Sequence, residues 1–183
     1  GARLSCTANA GITRRLSFPS AAAAHVRSAP PPESARRRHS GRIHVDLDAE
    51  IEMIIAFTGT QRGMSDRQRT DVRRYLVDAQ TQHGASLVAA HGACVGADDE
   101  FDAVCVELNV PRYIYPSDVA DRCALDACRR RGGELHVMTH PMPPLQRNRW
   151  IVRYAQRLLA CPKEAHEVQR SGTWATIRLG RRA

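Results

Sequence analysis

Short apolar runs recur along the chain from residue 51 to its end, and each is bounded by glycine, proline or polar turn residues. Runs of this length are typical of strands that are buried on both faces of a sheet. Five strands are predicted, at "IEMIIAF" (51–57), "SLVAAH" (86–91), "PRYIYP" (111–116), "ELHVMTH" (134–140) and "RLLACP" (157–162).

Between the predicted strands, apolar residues recur every three or four positions, which is typical of amphipathic helices. The first helix is predicted to begin after Ser65, because Gln68 follows three residues later as in a capping box, and to end at Gly84. Helices are also predicted over 118–133 and 172–180. Two more are predicted from apolar sets, which are Phe101, Val104, Cys105 and Leu108, and Ile151, Tyr154, Ala155 and Leu158.

Strands that alternate with helices at this spacing predict an α/β fold. The expected architecture is Rossmann-like and doubly wound, with a mainly parallel sheet of about five strands and helices on both faces. The predicted domain covers residues 51–183, which is long enough to bury one core. Since ligands of such sheets bind beyond the carboxyl ends of the strands, we expect the functional residues in the loops that follow the strands.

Residues 1–50 differ from this domain, and we interpret them as a disordered tail. Up to residue 45 they hold eight Arg, a single acid (Glu33) and runs such as "AAAA" and "APPPE", without an apolar period that could build a core. An organelle transit peptide has a similar composition, and an over-extended reading frame is a third interpretation. The eight Arg of residues 1–50 stand against four acids, so this region carries half of the net charge of +8.

The overall composition gives little support to a nucleic-acid or membrane protein. Of the 27 basic residues all but Lys163 are Arg, a bias that a GC-rich coding sequence explains as well as a need for guanidinium groups. No apolar run approaches the roughly 20 residues of a membrane span.

Among the six Cys, Cys105 and Cys161 lie in apolar patterns typical of buried residues. The cytoplasm is therefore the expected compartment.

The first candidate loop, "TGTQRG" (58–63), follows the first predicted strand. Its glycines let backbone amides approach a ligand, and its hydroxyl and guanidinium groups can bind an anion. It lacks the spacing of the G-x-G-x-x-G and P-loop motifs, so a plain turn is the alternative. The candidate ligand-binding residues of this loop are Gly59, Thr60 and Arg62.

The second candidate loop follows the next predicted strand and contains "HGACVGADDE". Gly92 and Gly96 permit a tight turn there. Acids crowd the start of the following helix, where they suit the positive end of the helix dipole but repel phosphate. We therefore expect this loop to face a sugar or a base edge, with Asp98 accepting hydrogen bonds from ligand hydroxyls. The four acids are Asp98, Asp99, Glu100 and Asp102.

Two further candidate sites lie at predicted helix starts. "QRNRW" places Arg147 and Asn148 together, and guanidinium and amide groups suit an anion or a base edge. "RSGTW" places Ser171, Gly172 and Thr173 at the start of the last helix without an acid nearby, which makes it the best phosphate site in the sequence. The structural alternatives are a solvated basic face for the first and a simple N-cap for the second.

Neither a cysteine nucleophile nor a metal site is expected, and no cofactor is predicted. Cys94 would need a lowered pKa, which the neighbouring acids oppose. A metal site at His91, Cys94 and Asp98 lacks the paired ligands that mark zinc clusters. A second set has C-x4-C-x7-H-x3-H spacing, which is too short in the middle for a zinc finger, and consists of Cys123, Cys128, His136 and His140.

Four motifs in chain order resemble the SLOG superfamily of Rossmann-like domains: "FTGTQRG", "HGACVGADDEFDAV", "RNRWIVRYAQRLLACP" and "SGTWATIRLG". This superfamily is named for the DNA-processing Smf/DprA proteins and the LOG nucleotide hydrolases, and the motifs are most similar to those of a small bacterial and phage branch. The resemblance covers about residues 51–183. It implies a pocket for a nucleotide or nucleotide-derived ligand, lined by the candidate residues above, with phosphate at residues 171–173.

One departure from the LOG pattern bears on function. LOG hydrolases carry "P-G-G-x-G-T-x-E-E", whereas this chain has Ala175 and Thr176 after Trp174, so the Glu pair that would act as acid and base is absent. We therefore expect a nucleotide-binding sensor or accessory module, with a homo-oligomer left open. Two alternatives are a nucleoside 5′-monophosphate phosphoribohydrolase (an N-glycosidase) that uses Asp98 or Glu100, and DprA-like binding of single-stranded DNA.

Overall fold

Six strands form one sheet in the computed structural model, which describes residues 14–15 and 53–183. In chain order they are β1 (Arg14–Arg15), β2 (Met53–Gly59), β3 (Leu87–His91), β4 (Arg112–Ile114), β5 (Leu135–Val137) and β6 (Arg157–Cys161). The spatial order is β1-β6-β2-β3-β4-β5. Strands β2 to β6 are parallel, and β1 pairs antiparallel with β6 at one edge. The predicted Rossmann-like α/β fold is confirmed.

The structure contains one strand that was not predicted, and it does not test the prediction for most of residues 1–50. Strand β1 belongs to the region that we interpreted as a tail, and its two residues have no apolar pattern that could predict a strand. The remainder of that tail, together with the first two residues of the predicted strand at 51–57, lies outside the described residues. The interpretation of residues 1–50 therefore stays a prediction.

The helices occupy both faces of the sheet, and the strand order explains which helix lies on which face. They are α1 (Asp66–His83), α2 (Ala97–Glu107), α3 (Leu125–Arg130), α4 (Pro144–Arg153) and α5 (Gly172–Arg182). From β2 to β5 the chain advances one strand at a time in one direction, so right-handed crossovers place α1, α2 and α3 on the same face. The chain then returns past β2 to β6, which places α4 and α5 on the opposite face.

Residues of β2 show how one short strand contributes to two cores. Ile55 and Phe57 face α1 and α2, and the Phe57 ring stacks on Phe101 at a centroid distance of 4.2 Å. Ala56 faces the other way, where it packs with Ile151 of α4. Because both faces are buried, the strand is apolar from Met53 to Phe57, and each buried Phe contributes roughly 2 to 3 kcal/mol.

The ends of α1 agree with the prediction. The Ser65 side chain accepts a hydrogen bond from the Gln68 amide, and the Gln68 side chain accepts one from the Ser65 amide, which completes the capping box. Gly84 caps the other end with a φ of +54°. No helix among the described residues has the length and apolar content needed to cross a membrane.

Two predicted helix ranges are wrong in extent. The helix predicted over 118–133 is reduced to α3, because the backbone of residues 122–124 pairs with that of 93–95 and its polar groups are used there. The helix predicted to run to Leu158 ends at Arg153, because Leu158 is in β6, where it pairs with Ala56. In both cases the apolar residues keep a helical period beyond the end of the helix, but the backbone there is hydrogen-bonded to another loop or strand.

Candidate functional site

The strand order creates a crevice at the carboxyl ends of the adjacent strands β2 and β6. The loop after β2 leads to α1 on one face, whereas the loop after the neighbouring β6 leads to α5 on the other face. Two neighbouring loops that diverge in this way open a cleft beyond the strand ends, which is where doubly wound folds bind ligands. A cavity of about 480 Å³ lies there, a size that suits a small molecule.

Nine of the eleven predicted site residues line this cavity. They come from four segments that are far apart in the chain, and they are Gly59, Thr60, Arg62, Asp98, Arg147, Asn148, Ser171, Gly172 and Thr173. Gly92 and Gly96 do not line the cavity among the described residues; both lie behind its wall and shape the loop. The structure therefore brings most of the candidate residues together, and their role in ligand binding stays a prediction.

The first loop is held in place by backbone contacts to the second. The Thr60 carbonyl accepts hydrogen bonds from the Gly63 and Ala97 amides at 3.2 and 3.0 Å. A β-carbon at Gly59 would overlap the Ala97 side chain, so glycine is needed where β2 ends against the start of α2. The Arg62 side chain is exposed at the mouth of the cavity.

The two glycines of the second loop allow other parts of the chain to pack closely against its backbone. A β-carbon at Gly92 would overlap the Arg147 guanidinium, so this glycine makes room for a cation from α4. Gly96 has a φ of +91° and lies against the backbone of Gln61, where any side chain would meet both steric clash and strain. These positions determine the shape of the site.

Asp98 lines the cavity, but its carboxylate holds the second loop together. Its Oδ2 accepts hydrogen bonds from the Gly92 amide at 3.2 Å and the Cys94 amide at 3.4 Å. The same oxygen lies 3.6 Å from Arg147 Nη1. The predicted contact with a ligand hydroxyl therefore competes with two backbone donors and one guanidinium group at this oxygen.

Arg147 is a buried cation in the cavity wall. Its side chain is 7 % exposed, and Nη2 donates to the Cys94 thiol at 3.1 Å. Its Nε has no hydrogen-bond partner within the described chain, although it is fully buried. The neighbouring Asn148 donates to Thr176 Oγ1 at 2.7 Å and thereby joins α4 to α5. Arg147 is thus the group with unused hydrogen-bonding capacity, whereas the Asn148 amide already has a partner.

The start of α5 is also partly committed to the fold. Ser171 Oγ accepts a hydrogen bond from the Trp174 amide as an N-cap, and Thr173 Oγ1 donates to the Gly59 carbonyl at 2.8 Å. Gly172 faces open space. With the Trp174 amide used by the cap, the Gly172 and Thr173 amides, which lack intrahelical acceptors, are the backbone donors that remain for an anion.

Asp102 belongs to a buried polar network beneath the second loop and does not line the cavity. Its carboxylate binds His91 Nε2 at 3.2 Å, Arg112 Nη1 at 2.9 Å and Arg131 Nη1 at 3.1 Å. Burial alone would raise its pKa, but the His91 hydrogen bond and the two guanidinium groups lower it to about 2. His91 Nδ1 accepts the Ala93 amide, so both imidazole nitrogens are engaged.

The remaining acids of α2 also serve the fold. Glu100 accepts a hydrogen bond from the Met64 amide at 2.6 Å and lies 3.3 Å from Arg69. Asp99 pairs with Arg131 at 2.7 Å. Because neither is among the residues that line the cavity, Glu100 is not placed to act there as an acid or base.

The described cysteines differ in burial, and three of the five are buried in the interior of the fold. Burial and the Asp98 charge raise the pKa of the Cys94 thiol, although Arg147 opposes this, so a thiolate nucleophile is disfavoured. Cys105 and Cys161 are buried as predicted, and Cys128 packs against Ile114. Within residues 53–183, no group of three or more His, Cys, Asp or Glu side chains is arranged to hold a metal ion.

Several cavity residues escaped the sequence analysis. Ser117 and Arg122 follow β4, and Lys163 and Glu164 follow β6. Applying the strand-end rule to every strand, including β4, would have identified the first two. Among the described residues that line the cavity, two are carboxylates, Asp98 and Glu164. Five are cations, which are Arg62, Arg122, Arg147, Lys163 and Arg170.

No protein-family model, no curated protein and no solved structure matches the chain. The resemblance to the SLOG superfamily therefore rests on the four motifs alone. The interpretation of the site rests on the positions of its residues.

Proposed function

We propose that this cavity binds a nucleotide or a nucleotide-derived anion and that the protein acts as a sensor or accessory module. The observation that supports the proposal is that five segments, spread between residues 57 and 176, line one cavity at the switch point of the sheet. The excess of five cations over two carboxylates supports an anionic ligand.

We place different parts of such a ligand against different walls of the cavity. The first turn of α5 offers free amides and the positive end of the helix dipole, with Arg170 beside it, so phosphate belongs there. Arg147 and the second loop lie across the cavity and suit a second phosphate, a sugar or a base edge. The resemblance to nucleotide-binding domains agrees with this division.

Isothermal titration calorimetry with the full chain tests the proposal. The panel comprises nucleoside 5′-mono-, di- and triphosphates, cyclic nucleotides and ADP-ribose. We expect at least one to bind, and we expect Arg147→Lys to weaken it by about 10- to 100-fold, because lysine lacks the planar fork of donors.

Arg149→Lys is the matched control. This arginine is exposed on the same helix and is not among the residues that line the cavity, so its substitution should leave the affinity unchanged. Failure of the whole panel to bind to the wild-type chain would contradict the proposal.

The second candidate function is the hydrolysis of nucleoside 5′-monophosphates to base and ribose 5-phosphate. It is favoured by the two carboxylates that line the cavity, since proton transfer to a leaving base requires an acid. Release of free base by the wild type but not by Asp98→Asn or Glu164→Gln would establish it. No release by the wild type would leave binding as the function of the site.

A further inference from the structure

Two cysteines lie directly opposite each other beside the cavity. Cys94 in the second loop and Cys123 in the segment before α3 form an antiparallel bridge. Hydrogen bonds flank the pair on both sides, from the Val95 amide to the Arg122 carbonyl at 2.9 Å and from the Ala124 amide to the Ala93 carbonyl at 2.6 Å. The two cysteines themselves are therefore a non-hydrogen-bonded pair.

This register brings the two cysteines within the reach of a disulfide bond. Residues in a non-hydrogen-bonded antiparallel pair have Cα atoms about 4.5 Å apart and side chains on the same face. A disulfide requires a Cα separation of about 4.4 to 6.8 Å. Backbone pairing thus supplies the approach of the two residues, and rotation about the side-chain bonds can complete the geometry.

Exposure singles out this pair within the described part of the chain. Cys94 and Cys123 are both half-buried and can be reached by small reagents, whereas the other described cysteines are buried. Those others are Cys105, Cys128 and Cys161. The Cys94 thiol also lines the ligand cavity and accepts a hydrogen bond from Arg147 Nη2 at 3.1 Å.

We propose that Cys94 and Cys123 are a redox modification site, where a low-molecular-weight disulfide such as oxidised glutathione converts them reversibly to an intrachain disulfide. Cys123, as the thiolate, attacks a sulfur of the reagent first, because the burial of Cys94 and its neighbour Asp98 disfavour a Cys94 thiolate in this bimolecular step, and it releases one glutathione thiolate. The second cysteine, as the thiolate, attacks the mixed disulfide and releases the second. Two protons pass from the cysteines to the released thiolates, and two electrons reduce the reagent to two thiols.

Oxidation of Cys94 changes the hydrogen bonding of Arg147 in the cavity wall and should therefore alter ligand affinity. This part of the inference rests on the proposed function. A bond from Cys94 Sγ to Cys123 replaces the thiol that accepts from Nη2 and draws the sulfur toward the opposite loop. The freed Nη2 can then donate to an anion. We expect the dissociation constant of a nucleotide to be about 5- to 10-fold lower for the oxidised protein than for the reduced protein.

Peptide mapping tests the modification without any ligand. The full chain is equilibrated in buffers of varied reduced-to-oxidised glutathione ratio, and free thiols are then blocked with N-ethylmaleimide. Cleavage before Asp residues separates the cysteines, because residues 78–97 contain Cys94 alone and residues 121–125 contain Cys123 alone. We expect mass spectrometry to find these two peptides joined, with the loss of two hydrogens, and separated again by dithiothreitol.

Three variants control the mapping. Cys94→Ser and Cys123→Ser should each abolish the joined peptide, whereas Cys6→Ser, which removes a thiol elsewhere in the sequence, should leave it unchanged. Circular dichroism verifies that each variant is folded. The proposal is overturned if, across the whole range of buffers, either cysteine stays a free thiol, stops at a glutathione adduct or pairs with a different cysteine.

Nucleotide titration of the reduced and the oxidised chain tests the link to the cavity. A joined peptide together with a change in nucleotide affinity supports the whole inference, and equal affinities in the two states overturn the link. A joined peptide in a chain that binds no nucleotide in either state overturns the proposed function and the link to the cavity, while the modification site stands.

Discussion

At the scale of single residues, the cavity depends on Arg147 and on the absence of a side chain at Gly92. A buried guanidinium is costly unless it is paired, and Arg147 has only the Cys94 thiol at 3.1 Å and the Asp98 carboxylate at 3.6 Å. Because these two partners are a weak acceptor and a carboxylate beyond hydrogen-bond distance, Arg147 is the buried cation of the cavity wall that an anionic ligand would be expected to stabilise. The Arg147 guanidinium occupies this position only because Gly92 has no side chain.

The first prediction concerns Gly92→Ala. The added methyl group would overlap the Arg147 guanidinium and drive it from its position. We expect the affinity for the best-binding nucleotide to fall by about 10-fold or more, as measured by isothermal titration calorimetry, because a charged donor is lost. Gly132→Ala is the control: this residue has a φ of +75° and open space around it, so the variant should lose roughly 1 kcal/mol of stability and keep its affinity.

At the scale of elements, caps and pairing decide where helices begin and end. The capping box at Ser65 uses only neighbouring residues, so the sequence predicted the start of α1 correctly. The start of α3 depends on the pairing of residues 122–124 with 93–95, which no local pattern reveals. Leu158 fits a helical period but belongs to β6, because it lies in register with Ala56.

The second prediction concerns Ser65→Ala. Loss of the side chain that accepts the Gln68 amide should lower the free energy of unfolding by about 1 kcal/mol, as measured by urea denaturation. Thr70→Ala serves for comparison, since the Thr70 hydroxyl only bonds back to the Asp66 carbonyl on an exposed turn of the same helix. A change within about 0.5 kcal/mol is expected for that variant, and equal effects of the two would contradict the role of the cap.

At the scale of the whole molecule, Asp102 joins β3, α2, β4 and the segment after α3 through one buried carboxylate. Its pKa in the folded protein is about 2, below the ordinary value of 3.8. A depressed carboxyl pKa contributes stability that is present above the unfolded value and lost as the pH falls through the folded value. The contribution is about 2 kcal/mol, and it should disappear between about pH 4 and pH 2.

The third prediction follows from that shift. Asp102→Asn should lower the free energy of unfolding at neutral pH by roughly 3 kcal/mol, because it leaves Arg112 buried without its anion. It should also flatten the dependence of stability on pH between pH 4 and pH 2, measured by denaturant unfolding at a series of pH values. Asp126→Asn, at an exposed side chain, should change neither quantity appreciably. Retention of the full acid dependence by Asp102→Asn would rule out this role.

The sequence by itself determined the features that neighbouring residues produce. Apolar runs gave the strands, a three-to-four-residue period and caps gave most of the helices, and their alternation gave the parallel α/β fold, because each is a short-range consequence of burial and backbone geometry. The strand-end rule also indicated the loops that line the cavity, since it depends only on fold class.

Only the tertiary structure decided which groups in those loops are available to a ligand. The return of the chain past β2 to β6 brings α4 and α5 against the first two loops, and this path is not a local property. This path brings Thr173 to the Gly59 carbonyl and Arg147 to Asp98. On the other face, the packing of α2 against β4 and α3 turns Asp102 toward two arginines and away from the cavity. Each of these contacts joins residues that only the packing of the sheet and its helices brings together, so spacing along the chain could not reveal them.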